Sequence, residues 1–219
     1  MTQYLIMHNN TNIENTAVSK THYSSASLTP NAIILPILAL LSILILLIPL
    51  RFHYRAHNTG AWALCLVIIL ENFLSLINVL IWPRANFDGW FNGNILCDIE
   101  VKLLAPLGIA YHASLCCIVR SLARVLDVER PDLNPTRNQR RRRVWTDLGI
   151  CFGIPLVCMC TLYVVQNTRY LISAVSGCRD TYDASWPTVV LVFMWPMLFV
   201  LGTLYYTSKP PLLTPHHTN

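Results

Sequence analysis

Residues 32–50 read AIILPILALLSILILLIPL, nineteen positions without one charge. At about 1.5 Å per residue, a helix of that length reaches across a hydrocarbon core of about 30 Å. Lipid offers no partner to a backbone N–H or C=O, so a long apolar run must satisfy both within itself as a helix. The run follows about thirty residues of polar chain with no basic leader. It also exceeds the about 7–15 apolar residues of a signal peptide, and is therefore read as a span. Further apolar stretches lie at 61–82, 96–122, 144–166 and 188–206. A composition of 54% hydrophobic and only 12% charged residues excludes a soluble domain. The expected fold is an all-α membrane protein with five transmembrane helices over residues 32–206, between a tail at 1–31 and a tail at 207–219. Neither tail carries enough apolar surface to order itself. Pro36, Pro106, Pro155 and Pro196 fall inside spans and are expected to kink them.

Basic residues set the expected orientation, because the connections richer in Lys and Arg face the cytoplasm. Arg51, Arg55, Arg120, Arg124, Arg130, Arg137, Arg140 to Arg143 and Lys209 place eleven on one side. Lys20, Arg84, Arg169 and Arg179 place four on the other, with Lys102 inside a span. The N-terminus is thus expected outside and the C-terminus inside. The single sequon at Asn9 falls on the outer side and is a candidate glycosylation site, though Asn and Thr are common in this tail. The run Arg140–Arg143 reads either as a topogenic stop or as a docking surface for an acidic cytoplasmic partner, and the two are compatible. Nucleic acid is not expected as a partner, since no soluble domain surrounds the patch.

Six of the eight cysteines lie within spans, where they pack as small apolar residues. Their spacing lacks the CxxC pattern and co-ligands of a zinc site, and neither a metal nor a cofactor is expected. Cys97, at the outer end of the third span, and Cys178, in the second external loop, both face an oxidising compartment. A disulfide between them is expected, the alternative being two free thiols.

Ionisable groups inside a span are costly and are functional candidates. Glu71, Ser75, Asn78 and Trp82 recur at intervals of 4, 3 and 4 and share one face of the second span. Asp98 and Lys102 can pair along the third span, with Glu100 pointing the other way. Either these groups satisfy one another and fix packing, or they line a polar pocket open to the outside. Glu71, Asn78, Asp98 and Lys102 are the candidate ligand-binding residues. No HExxH, GxSxG or Gly-rich phosphate loop occurs, so catalysis is not expected.

Several motifs carry a family resemblance. LCDI at 96–99, CCIVRSL at 116–122, NVLIW at 78–82, QNTRYLI at 166–172, Gly177-Cys178 and Trp195-Pro196, with Trp62 and Asn72, resemble the fungal mating-pheromone receptors of the a-factor receptor type. These belong to the class D G-protein-coupled receptors. The resemblance spans about residues 32 to 206 and implies the first five helices of a seven-helix bundle in the plasma membrane. It implies a C-terminally prenylated peptide pheromone outside and a heterotrimeric G protein inside, met by Arg120, Arg124, Arg140 and Arg141. Residues 209–219 are too short for another helix, so a receptor truncated after its fifth helix is expected. Two other readings stand beside it. One is a short form acting as decoy or dimer partner of other receptor chains. The other is a small transporter or channel subunit, against which the lack of an internal repeat speaks.

Overall fold

The computed structural model describes residues 6–7, 30–83, 93–126, 136–166 and 170–208. Five helices are long and apolar enough to cross a membrane: α1 (Pro30–Arg55), α2 (Thr59–Ile81), α3 (Asn94–Leu126), α4 (Arg137–Val165) and α5 (Trp186–Ser208). α1 packs chiefly against α2, while α3 touches α2, α4 and α5 and is the most buried of the set. The outward faces of α1 and α5 carry bare Leu, Ile, Val and Phe, among them Leu38, Ile45, Ile48, Phe193 and Leu201. Such surface suits lipid, which solvates apolar side chains as well as a protein core does.

α4 starts at Arg137, well ahead of its apolar run, because Thr136 and Gln139 form a capping box. The reciprocal bonds satisfy end donors and hold the arginine-rich turn helical. α1 and α2 are joined tightly: Asn58 caps α2, its Oδ1 accepting from Ala61 N–H at 3.3 Å. Gly60 lets α2 approach α3 closely, since a Cβ there would lie 3.1 Å from the Ile118 nitrogen.

The prolines within the spans fall in two settings. Pro36, Pro49 and Pro106 lie within continuous α-helix. Pro155 and Pro196 instead follow wide π turns at Gly149–Gly153 and Val189–Phe193. A proline ring clashes with the carbonyl four residues before it, here that of Cys151 or Val192, and both carbonyls sit inside the widened turns.

Between α4 and α5 the chain folds as a hairpin of β2 (Leu171–Ser173) and β3 (Gly177–Arg179), with Ile172 opposite Cys178. A third strand, β1 (Ile6–Met7), pairs antiparallel to β2, with Ile6 opposite Ile172. The N-terminal tail was expected to lack order; Ile6 and Met7 are described as a strand, to which β2 offers an open edge, and the rest of the tail lies outside the described residues.

Candidate functional site

The hairpin docks on the α2–α3 end of the bundle through three kinds of bond. Cys178 of β3 is joined to Cys97 of α3 by a disulfide, with Cα atoms 5.2 Å apart. The Val175 N–H, in the hairpin turn, donates to the Trp82 carbonyl at the end of α2 at 2.9 Å. Tyr170 O–H donates to Asn94 Oδ1 at the start of α3. Trp82, Val101, Tyr170 and Ile172 close around the disulfide as one apolar cluster.

Beneath the turn lies a buried polar pair. Glu100 is 1% exposed, and its Oε1 accepts a hydrogen bond from Asn78 Nδ2. The same amide donates to the Ser176 carbonyl at 3.3 Å, linking α2, α3 and the turn. The Cys178 backbone and the Arg179 charge are the other polar neighbours of the carboxyl. Gly177 is required here: its φ is +68°, and a Cβ would run into the Asn78 amide.

The sequence-derived face therefore divides. Asn78 meets Glu100, which spacing had turned away from the candidate set. Glu100 follows Cys97 by three residues, so the two share a face of α3, and the disulfide draws the hairpin over both. That i, i+3 relation was the available signal. Lys102 is exposed, its Nζ 6.0 Å from the Tyr163 ring centroid of α4. Asp98 is half-buried one turn before it, and Glu71 is half-buried near the middle of α2. The structure does not bring these three together with Asn78. Asn9 lies outside the described residues.

At the opposite end, Arg120 of α3 donates to Asp147 of α4 in an ion pair between half-buried side chains. Beside it opens a cleft of about 240 Å³, walled by His57 and Asn58 of the α1–α2 link, Arg124 of α3, and Arg140, Arg143 and Asp147 of α4. Arg141 is exposed and not part of that wall. His57 and Asp147 had no distinguishing mark in the sequence, and Arg143 stood out only as part of the basic run; the fold gathers them at one cleft. Among the described residues no His, Cys, Asp and Glu cluster could hold a metal ion.

Five apolar helices under a disulfide-anchored hairpin, with polar groups gathered at both ends, define a helical multi-pass membrane protein built to present two separate faces. The family model described as Pheromone A receptor matches residues 34–210, and the chain belongs to that family. The Pheromone B beta 1 receptor of Schizophyllum commune is 30% identical over 170 residues, which cover 78% of this chain and 30% of that protein. The Pheromone receptor 1 of Mycosarcoma maydis is 30% identical over 165 residues, covering 75% and 43%. The Pheromone a factor receptor of Saccharomyces cerevisiae is 28% identical over 173 residues, covering 78% and 36%. The chain thus spans less than half the length of these relatives. No solved structure matches it.

Proposed function

We propose that the chain works as a mating-pheromone receptor of the plasma membrane. The hairpin end faces outward and takes a prenylated peptide pheromone; the arginine end faces the cytoplasm and meets a heterotrimeric G protein. The observation that carries this reading is the family match, which runs through all five helices and the hairpin. The two ends suit the two tasks. Apolar helix walls beside Glu71, Asp98 and Lys102 offer a lipopeptide both a greasy and a polar surface, while Asn78, buried beneath the hairpin turn, holds the shape of that end. Arg120, Arg124, Arg140 and Arg141 give a cytoplasmic partner a basic surface that steers acidic groups.

The test is to express the chain in fungal cells lacking their own receptors of this family and to measure binding of fluorescent peptides with and without the prenyl group. Preferential binding of the prenylated form supports the reading, and equal binding of both refutes it. G-protein activation is read in the same cells. Its absence despite binding would reject the signalling half and favour a partner that binds pheromone without transducing. Orientation is read separately from a sequon engineered at Thr136, whose glycosylation would reverse the assignment of the two ends.

A further inference from the structure

The charged side chains lining the cleft at the arginine end are mostly arginines. Arg124, Arg140 and Arg143 line it with His57, and Asp147 is the one acidic side chain among the described lining residues. Asp147 is already engaged by Arg120. Two further features define what would fit. At about 240 Å³ the cleft is smaller than the about 300–1,000 Å³ of pockets for drug-sized ligands, and suits a compact anion rather than a peptide helix. Val125 and Val144 complete its wall, and Val144 opens the apolar run of α4, so charge gives way to lipid-facing chain at this level.

We propose that this cleft binds the phosphomonoester headgroup of an anionic membrane lipid of the phosphoinositide kind. Guanidinium groups meet phosphate oxygens in bidentate pairs, and a phosphomonoester of nearly two negative charges and three acceptor oxygens answers a cluster of them more fully than the phosphodiester and single carboxylate of phosphatidylserine. Asn58 and Thr59 add neutral polar groups to the wall. The acyl chains then lie along the apolar surface that begins at Val144. Bound there, the lipid bridges the α1–α2 link, α3 and α4. The site rests on the inward orientation of the arginine end proposed above, because phosphoinositides belong to the cytoplasmic leaflet.

The experiment uses the full chain in phosphatidylcholine nanodiscs, whose two faces are equally accessible, so binding is read independently of cellular orientation. Discs carry phosphatidylinositol 4,5-bisphosphate or phosphatidylserine at matched charge, and lipid retained by the purified protein is quantified by mass spectrometry. Preferential retention of the phosphoinositide is expected. R124Q/R140Q should lower it at least about tenfold, since each change removes a charge-assisted contact. R137Q/R142Q deletes the same charge from outside the cleft and should change retention less than about threefold. Should the first variant fold poorly, R140Q alone, at an exposed side chain, is read by the same criterion. Equal loss in the two double variants, or no preference over phosphatidylserine, would overturn the site and leave only surface attraction. Displacement by soluble inositol trisphosphate at equal concentration would overturn the lipid as its source. A glycosylated sequon at Thr136 with normal retention would instead remove the orientation while the cleft's chemistry stood.

Discussion

Replacing Asn78 by Ala tests whether the pair beneath the hairpin holds the fold together. The change removes the hydrogen bond to Glu100 and the one to the Ser176 carbonyl, and leaves a carboxyl that is 1% exposed without its side-chain partner. Hydrogen bonds to charged groups contribute about 1.5–3 kcal/mol, so a loss of about 2 kcal/mol is expected. For a chain of this size that lowers the thermal midpoint by about 4–8 °C. Glu100→Ala should cost a similar amount, by stranding the Asn78 amide. The double substitution should lose no more than the worse single one, because nothing then remains buried without its partner. Unfolding of detergent-solubilised protein, followed by the fluorescence of a thiol-reactive dye at cysteines exposed on melting, gives all four midpoints. Strictly additive losses would refute the pairing and reduce each residue to independent packing.

Gly177→Ala should abolish proper folding, since a Cβ at φ +68° meets the Asn78 amide, whereas Gly153→Ala, with nothing within 4 Å, should be tolerated; surface expression separates the two. Cys97→Ser and Cys178→Ser should give the same defect with no further loss in the double variant. A bridge of 81 residues constrains the unfolded chain by at most about 4–5 kcal/mol. A non-reducing digest in which the two peptides separate would contradict the bond. Tyr182 donates to Asp180, and burial first, then that carboxylate, push its phenol above the usual range. Its stabilising share is therefore complete below about pH 10, the ordinary phenol value, and is lost as pH rises further. Tyr182→Phe should remove that alkaline decline from a stability–pH series.

The membrane helices were legible because their signal is local. A charge-free run such as 32–50 needs no partner to declare itself, and four of the five spans emerged within about a turn and a half of the apolar runs. Where they extended, short-range chemistry did it, as when the Thr136–Gln139 capping box brought the helix forward to Arg137. The polar groups were harder. Asn78 was visible as a polar residue in an apolar helix, but its surroundings depended on where a hairpin turn 98 residues later would dock. Spacing favoured Asp98 with Lys102, and Lys102 instead lies on an exposed face beside Tyr163. The four arginines 140–143 cover a full helical turn, so sequence cannot say which look inward. The α1–α2 link decides it, by lying against Arg140 and Arg143.

The two π turns also change how this chain is to be aligned and edited. Each holds one residue more than an α-helix would over the same rise, so everything after it is rotated by about 100° from the phase of the preceding helix. Leu162, Val165 and Val192 meet as a cluster, the first two beyond the first wide turn and the third within the second. Deleting a single residue from Gly149–Gly153 would restore regular hydrogen bonding locally. Because the surplus residue adds no rise, Leu162 and Val165 would keep their face toward Val192. For this segment a one-residue gap against a relative can be absorbed in the wide turn, so substitutions beyond it are compared face by face and not by a residue count carried from the preceding helix.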